Sequence, residues 1–494
     1  MKLNFRLNNK KQLQVDRAKL RKLGYIQELD RSVGIFSNFS ISFSVISILT
    51  GLITLYDLNN LGNGYYEFWS WIIVGVFQLF MAFSLGEIAS CYPIESGVYE
   101  WTNILSNNIL GWFNGWISLI GWIACTTGIN FGLSEFILQI FGVESSVASI
   151  LLICILIISI QTLINFAGIK LITIFNNYSV ILHITGVLII SFLLLIFSKH
   201  PVDWQEVSIS KAFDNFNILY YIPSLLTTAW TLTAFDASAS ISEECINPTK
   251  TVPVGMIMSV AVSIICGSLL LFSLNQNSSV LSDIQIKSGI VSIDIIITTL
   301  GHTVGKFISI ILVLAMFSCG LASHTVTARI IYAFSRKNGL PFSAIWKSIP
   351  ENYDVPIFSI LICSAIEILL SFIILIISSK QGNALPLITS LSTAGIYMSY
   401  AIVMISAISK RRQINKDKGN FHLGKFGLIF NIVSLIWAVT ITGIMIVFYA
   451  KMFYIIILIL IIYYFVYMKK ILMHKEKRLS ENELIKIEND RGID

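Results

Sequence analysis

Long apolar stretches, separated by short polar segments, follow one another along almost the whole chain. The hydrocarbon core of a bilayer is about 30 Å thick, and a helix needs about 20 apolar residues to cross it. Twelve such stretches lie at approximately 36–56, 70–92, 112–137, 148–167, 175–197, 218–243, 254–274, 303–333, 357–378, 385–409, 427–449 and 452–468. The pattern therefore predicts an all-α polytopic membrane protein with twelve transmembrane helices and no soluble domain of any size.

Composition and charge support this assignment and predict an orientation. Of the 494 residues, 55% are hydrophobic and 13% are charged, against about 25% charged residues in soluble domains. Lys and Arg in short loops favour the cytoplasmic side of a membrane. Twelve spans with a cytoplasmic N-terminus place 28 of the 34 Lys and Arg residues in cytoplasmic segments, and the other six are Lys199, Lys211, Lys287, Lys306, Lys380 and Lys451.

The charge distribution thus predicts a multi-pass protein of the cell membrane with both termini in the cytoplasm. The net charge of +6 comes from this asymmetry, so it indicates topology and contact with the lipid bilayer, and we expect no nucleic-acid partner.

The sequence contains no motif typical of a membrane enzyme or a channel. The seven cysteines lie in or beside apolar spans without the spacing of a metal site, and the six histidines never form a helical metal pair. The segment 301–307, GHTVGKF, lacks the spacing of a phosphate-binding loop. A channel would need a repeated pore loop, and the sequence contains none. We therefore expect no catalytic activity, no metal and no cofactor.

Among the ionisable residues inside predicted spans, we select three as candidates at membrane depth, namely Asp236, His183 and His324. Such residues are candidates for a functional site, because an acid at mid-bilayer depth costs about 2.5–3.5 kcal/mol. By contrast, Glu87 and the pair at 243–244 lie near predicted cytoplasmic ends, where a solvated or loop-paired acid is the simpler interpretation.

Asp236 precedes a run of small and polar residues, ASASISEE at 237–244. An aspartate in that place is typical of a helix N-cap, which accepts hydrogen bonds from free N–H groups. The sixth span is therefore predicted to break near residues 233–236. Non-helical backbone at membrane depth is tolerated only where it is buried in protein or lines a cavity, so Asp236 predicts a cavity.

A matching feature lies five spans earlier, where Ser47, Thr50 and Gly51 interrupt an apolar stretch. A small-residue packing face would explain these residues equally well. Interrupted helices at corresponding positions of two halves are, however, typical of secondary transporters with an inverted repeat. We therefore expect the following organisation: a tail at 1–33, a ten-helix core at 34–409 with halves at about 34–197 and 218–409, two peripheral helices at 410–468 and a tail at 469–494.

Several blocks resemble amino-acid permeases of the amino acid, polyamine and organocation superfamily, most closely the amino acid and choline transporter subgroup. The main blocks are residues 24–56, GEIASCYPIESGVYEW at 86–101, DASASISEE at 236–244 and RIIYAFSRKNGLPFS at 329–343, with a weaker block at 389–402. The resemblance implies the leucine-transporter fold, a 5+5 inverted repeat whose first and sixth helices unwind near mid-membrane.

The resemblance also implies a binding site at the two unwound segments. The substrate carboxylate would bind free backbone N–H groups, and Leu49-Thr50-Gly51 match the break of the first helix. Trp230 matches an aromatic residue that closes over substrate. Ala234-Phe235 stand where relatives often have Gly-Tyr. The predicted substrate-binding residues are Ser47, Ile48, Leu49, Thr50, Gly51, Trp230, Thr233, Ala234, Phe235 and Asp236.

His183 lies where proton-coupled relatives carry a lysine, in the block INFAGIKLITIFNNYSVILHITGV at 164–187. Histidine titrates near neutral pH and could carry the coupled proton. The alternative is a neutral histidine that is hydrogen-bonded inside the bundle. His324 has no such counterpart and is interpreted as a packed polar residue.

The expected function is secondary active transport of an amino acid or related amine, driven by proton symport with alternating access. The alternatives are a choline, polyamine or γ-aminobutyrate permease, an exchanger, and a non-transporting sensor on the same fold. Sodium held by oxygens of the first and eighth helices is the alternative coupling ion.

Overall fold

A computed structural model describes residues 2–469 and 483–486, apart from 30, 57–64, 96, 200, 215–217, 279–289, 351–354 and 382–383. Within these residues the chain is helical. The β-structure recorded in the described part of the chain is one isolated bridge, which pairs Val33 with Cys245.

The helices follow the chain in a simple order. They are α1 Lys2–Lys22, α2 Ile35–Ile46, α3 Ile48–Leu55, α4 Tyr66–Cys91, α5 Val98–Leu105, α6 Asn108–Ile140, α7 Val147–Phe166, α8 Ile169–Ile196, α9 Trp204–Val207, α10 Ile209–Ala212, α11 Ile218–Thr231, the 3₁₀ helix Phe235–Glu244, α12 Pro248–Gln276, α13 Val291–Leu300, α14 His302–Arg336, α15 Ser343–Trp346, α16 Ile357–Gln381, α17 Ala384–Ser409, α18 Arg411–Lys416, the 3₁₀ turn Gly424–Phe426, α19 Gly427–Phe448, α20 Met452–Tyr463 and the π-helical segment Tyr464–Met468.

Ten helices of the described chain are long and apolar enough to cross a membrane, with α2 and α3 counted together as one. They correspond to ten of the twelve spans predicted from the sequence. The predicted span at 218–243 is not among them because it is divided into α11 and a 3₁₀ helix. The span at 452–468 forms a shorter apolar helix. The multi-pass all-helical fold is confirmed, while the count of twelve and the inverted repeat stay predictions.

The membrane helices differ in how much of their surface the protein covers. The apolar window of α6 is 94% buried, whereas those of α7 and α19 are each 28% buried. Large side chains such as Leu163 and Ile436 are therefore exposed on the outer helices. Apolar patches of this size are rare on soluble proteins, and here they form the surface that faces lipid. The interior helix α6 is therefore placed to line an internal site.

Close backbone contact joins α6 to α17. A Cβ atom added to Gly395 would lie 2.8 Å from Gly121 Cα, and one added to Gly121 would lie 2.8 Å from Ile396 N. Small residues allow helices to approach closely in membranes, where packing has to replace the hydrophobic effect. These two glycines thus fix α17 against the central helix.

Buried ion pairs connect helices at the predicted cytoplasmic end. Glu243 pairs with Arg336, with distances from its oxygens to the guanidinium nitrogens of 2.9 and 3.0 Å, and Glu244 lies 3.0 Å from Arg329 Nη2. Glu87 accepts hydrogen bonds from Arg411 and lies 2.7 Å from the Nδ1 atom of His422. All three acids are buried, so the expectation of a solvated acid is wrong. Glu87 is paired with the segment that follows α17, as a loop-paired acid would be, whereas Glu243 and Glu244 pair with arginines of the long helix α14.

Candidate functional site

The first membrane helix is broken at Ser47, between α2 and α3. Ser47 has φ 31° and ψ 80°, in the left-handed region. Its N–H donates to Phe43 O and ends α2, while its carbonyl accepts from the N–H groups of Thr50 and Gly51 and begins α3. The break is therefore confirmed, but its assignment to Leu49-Thr50-Gly51 is wrong. Those three residues lie inside α3, because the serine oxygen accepts from Thr50 N at 3.3 Å and caps the helix two residues earlier.

The sixth span breaks between Thr231, the last residue of α11, and Phe235, the first residue of the 3₁₀ helix. The reversal occurs at Ala234, with φ 62° and ψ 18°. Glycine reaches this conformation freely, whereas alanine pays about 1–2 kcal/mol in the left-handed region. Alanine thus adopts here the backbone geometry for which glycine is the usual residue, and the break near 233–236 is confirmed.

Side chains from other helices satisfy the carbonyl groups where α11 ends. Gln78 of α4 donates to Leu232 O at 2.9 Å, and the Tyr397 hydroxyl of α17 donates to Ala229 O at 3.2 Å. An interrupted helix leaves its last carbonyls without intrahelical partners. These two side chains supply partners and stabilise the break.

Asp236 is not the N-cap of the segment that follows the break. The cap position is Ala234, and Asp236 lies in the first turn of the 3₁₀ helix. Its Oδ1 atom accepts from the Tyr400 hydroxyl of α17 at 2.5 Å. The expected capping role is therefore wrong, because the helix starts earlier than the serine-rich run suggested and directs the carboxylate toward α17.

Polar side chains of α2 bind the 3₁₀ helix directly. Ser42 Oγ donates to Phe235 O at 2.7 Å and accepts from Ser238 N at 2.8 Å. Asn38 Nδ2 donates to Ser238 O at 3.0 Å. The two interrupted helices are thus hydrogen-bonded directly to each other.

A small cavity lies between the two breaks. Its lining consists of Val45, Ile46, Ser47, Thr50, Gly51, Cys125, Ile129, Trp230, Thr231, Thr233, Ala234 and Cys319. About 10 Å³ of it is open to a water-sized sphere, which is room for about one water molecule. The cavity in this structure is therefore too small to hold an amino acid.

Six of the ten residues predicted for the substrate site line this cavity: Ser47, Thr50, Gly51, Trp230, Thr233 and Ala234. The other four, Ile48, Leu49, Phe235 and Asp236, are buried but outside its lining. The sequence did not indicate the contributions of α6 and α14, namely Cys125, Ile129 and Cys319. Those residues look like ordinary core positions, and only the packing of α6 and α14 brings them to the cavity.

Trp230 supplies an unpaired donor to the cavity. The indole is buried, and Nε1 has no hydrogen-bond partner among the described residues. A buried polar atom without a partner costs about 1–3 kcal/mol. Since this N–H borders the cavity, a ligand with an acceptor atom would relieve that cost.

His183 of α8 joins the fifth predicted span to the break at Ser47. Its Nδ1 atom lies 2.8 Å from Ser179 O, and its Nε2 atom lies 2.7 Å from Ser47 Oγ. A carbonyl oxygen only accepts, so Nδ1 carries a proton and donates. In the neutral ring, Nε2 then accepts from the Ser47 hydroxyl. Protonation of Nε2 would force Ser47 Oγ to become the acceptor.

His324 lies away from the cavity, against α16. Its Nδ1 atom is 3.0 and 3.1 Å from the two carboxylate oxygens of Glu367. Both residues are fully buried. The structure thus pairs this histidine with an acid, in keeping with a packed polar residue. Sequence reasoning missed Glu367, although an acid in the middle of the apolar span 357–378 was a visible signal.

An all-helical membrane protein with a small cavity between two interrupted helices has the construction of a transporter. The chain belongs to the amino acid permease family, whose sequence profile matches residues 33–469. The predicted resemblance is confirmed.

Two individual relatives match most of the chain, and a third matches less than half of it. Amino-acid permease BAT1 of Arabidopsis thaliana is 29% identical over 459 residues, which cover 86% of this chain and 87% of that protein. The GABA-specific permease of Saccharomyces cerevisiae is 26% identical over 440 residues, covering 83% and 74%. The choline transporter of the same yeast is 30% identical over 224 residues, covering 44% and 38%.

Proposed function

We propose that the protein carries an amino acid or a related amine across the cell membrane by alternating access, in symport with protons. The observation that carries the proposal is the contact of His183 Nε2 with Ser47 Oγ at 2.7 Å. It connects an ionisable ring directly to the backbone break that borders the cavity. Occupancy of the cavity and protonation of the His183 ring would then both depend on Ser47.

Two features of the cavity suit a substrate carboxylate. The first N–H groups of a helix lack intrahelical acceptors and lie at its positive end. The N-terminus of α3 borders the cavity through Ser47, Thr50 and Gly51. The N–H groups of Thr50 and Gly51 already donate to the Ser47 carbonyl, so α3 offers a carboxylate the positive end of its dipole at this place. On the opposite break, the unpaired Trp230 indole is a further donor. We propose that a carboxylate binds between them, with the hydroxyls of Thr50 and Thr233 as acceptors for the amine.

The proposed coupling works through the hydroxyl of Ser47. This oxygen also lies 2.5 Å from Thr50 Oγ1. When the ring takes a proton at Nε2, Ser47 Oγ accepts from the ring and its own proton is free for Thr50 or for substrate. A substrate that binds the rearranged pair more tightly stabilises the protonated ring, and the linkage is reciprocal.

In the proposed cycle, the structure corresponds to a state that is closed at the predicted cytoplasmic end. Glu243, Glu244, Arg329 and Arg336 are paired there, directly after the second break. Opening toward the cytoplasm would separate these pairs and release the 3₁₀ helix from α14.

An amine without a carboxylate is the second candidate substrate class, because one relative is named a choline transporter. Such a cation would not use the N–H groups of α3. It would require an acceptor-lined or aromatic site, for which Trp230 is the available ring at the cavity.

Uptake into proteoliposomes tests the proposal. A labelled amino-acid mixture should accumulate under an inward proton gradient, and unlabelled amino acids should compete more strongly than choline or polyamines. γ-Aminobutyrate, which keeps both a carboxylate and an amine, should compete to some degree. Stronger competition by choline would favour the second class. Ligand binding without uptake or counterflow would indicate a sensor, and a strict sodium requirement would overturn proton coupling.

A further inference from the structure

Three metal-ligating side chains meet inside the protein, away from the cavity. His324 belongs to α14, and Cys363 and Glu367 belong to α16. All three are buried, and one ligand atom from each lies within 4.8 Å of the other two. Cys363 and Glu367 are four residues apart and so lie on one face of α16. From these contacts we propose that His324, Cys363 and Glu367 bind a transition-metal cation, for which zinc is the best match.

The distances between the ligand atoms fit a tetrahedral ion closely. Metal–ligand bonds of about 2.0–2.3 Å at tetrahedral angles put neighbouring ligand atoms about 3.3–3.6 Å apart. The observed separations are 3.8 Å from Cys363 Sγ to His324 Nδ1, 3.0 Å from Cys363 Sγ to Glu367 Oε1 and 3.0 Å from His324 Nδ1 to Glu367 Oε1. Shifts of about half an ångström or less, within the reach of side-chain rotation, would complete the geometry. The fourth position would fall to the second carboxylate oxygen or to water.

The charges also balance. Zinc with a thiolate and a carboxylate is neutral overall, and a neutral centre avoids much of the cost of a charge at membrane depth. Without the ion, the thiol donates to Glu367 Oε1 and the imidazole Nδ1–H donates to the same carboxylate. Binding therefore releases one proton to water, from Cys363 Sγ, while the ring proton of His324 moves from Nδ1 to Nε2 and no oxidation occurs.

A neighbouring serine orients the histidine in the way that metal sites use. Metal-binding histidines usually donate their other ring N–H to an oxygen, which fixes the tautomer. Ser364 Oγ lies 3.5 Å from His324 Nε2 and 2.6 Å from Thr162 Oγ1 of α7. A proton at Nε2 leaves the Nδ1 lone pair directed at Cys363 and Glu367. The arrangement thus joins α14, α16 and α7 around one point.

Such an ion would be structural. None of the three ligands lines the cavity between the breaks, whereas Cys319, also on α14, does. A metal that fixes α14 to α16 would stabilise one wall of the transport core without touching substrate.

Cobalt substitution tests this site. Because the ligands are buried, the protein is expressed in cobalt-supplemented medium so that the site fills as the chain folds, and loosely held metal is then removed with a chelator. The protein carries no histidine tag at the time of measurement. We expect about one chelator-resistant cobalt per chain, with a thiolate-to-cobalt charge-transfer band in the absorption spectrum.

Matched serine substitutions separate this site from the other cysteines. Cys363→Ser keeps a hydrogen-bond donor to Glu367 and should lose both the band and the bound metal. Cys154→Ser makes the same change at another buried cysteine, 3.1 Å from Ser134 Oγ, and should keep both. Ser364→Ala leaves the three ligands in place and should weaken the retention of cobalt against the chelator about 10-fold.

Two results would overturn the site. One is a parent protein without chelator-resistant cobalt, which would leave the three residues as a hydrogen-bonded cluster. The other is a charge-transfer band that persists in Cys363→Ser or disappears in Cys154→Ser. If Cys363→Ser does not yield folded protein by size-exclusion chromatography, the parent spectrum and the Ser364→Ala retention decide the question.

Discussion

Gly51 is the residue whose size matters most directly at the cavity. A Cβ atom at this position would lie 2.0 Å from Thr231 Oγ1 and 2.7 Å from Thr231 Cβ. Glycine is therefore required for α3 to approach the end of α11. The small cavity depends on this contact between the two interrupted helices.

Replacing Gly51 with valine should abolish substrate binding while membrane insertion is retained, because the branched side chain separates α3 from α11. Gly51→Ala should impair binding less, and Thr231→Gly in the same chain should partly restore it by removing the atoms that the new Cβ meets. Scintillation proximity binding on purified protein measures all three. Full binding by Gly51→Val would show that the two helices need not be in contact.

Asp236 and Tyr400 form a buried hydrogen bond between the 3₁₀ helix and α17. The hydroxyl donates to a carboxylate that is otherwise surrounded by protein. In Asp236→Asn, the side-chain oxygen can still accept the hydrogen bond from Tyr400. In Tyr400→Phe, the buried carboxylate loses this donor, which lowers the free energy of unfolding by about 1–3 kcal/mol.

Tyr400→Phe should therefore lower thermal stability more than Asp236→Asn does, and the double variant should resemble Asp236→Asn. Melting curves of the four proteins form the required cycle. If the two single variants lower the melting temperature equally and their effects add in the double variant, the hydroxyl and the carboxylate act independently.

Among the secondary-structure elements, the sequence predicted the membrane helices well and the positions of the breaks within them less well. Apolar length indicates a span without knowledge of its neighbours, so the long membrane helices agree with the predicted stretches to within several residues, whereas α1, α5 and α13 were not predicted. The break after α11 was also visible, because Asp236 and the small residues after it do not suit a continuous apolar helix.

The break at Ser47 was misplaced by two residues for a physical reason. A serine within a transmembrane helix commonly bonds to its own helix, and nothing local distinguishes Ser47 from Ser42 or Ser44. What selects Ser47 is contact with His183 and the cap of α3, both of which need the folded structure. The contributions of Cys125 and Cys319 to the cavity were hidden for the same reason.

Glu244 offers a test of closure at the predicted cytoplasmic end. Glu244→Gln removes one charge from a buried pair and leaves Arg329 without its partner, which typically costs about 3–5 kcal/mol. In this variant, the conformation that is closed at the predicted cytoplasmic end should lose stability relative to a conformation that is open there. The neighbouring thiol of Cys245, buried against Asn38, reports such opening.

In a background in which Cys245 is the only cysteine, Glu244→Gln should increase the rate of labelling by a water-soluble maleimide. Asp203→Asn, a change of the same kind at an exposed position remote from this end, is the control and should leave the rate unchanged. An unchanged rate in Glu244→Gln would indicate that the ion pairs do not hold this end closed.

At the scale of the whole molecule, two interrupted helices, the cavity and a histidine form one connected unit. Ser42 and Asn38 bind the 3₁₀ helix, Ser47 binds His183, and Glu244 binds α14. Alternating access requires such connections, because a ligand shifts an equilibrium only through different contacts in the two states. Coupling to protons adds the requirement that the affinity of His183 for a proton differ between those states.

Transport by a His183→Gln variant in proteoliposomes tests proton coupling most directly. Under an inward proton gradient, the variant should fail to accumulate labelled substrate above equilibrium, yet it should still exchange labelled for unlabelled substrate, because the cavity is intact. His183→Lys should restore part of the accumulation, and His302→Gln, the same change at an exposed residue, should behave like the parent. Undiminished proton-driven accumulation by His183→Gln would contradict the coupling role and leave His183 as a structural hydrogen-bonding residue.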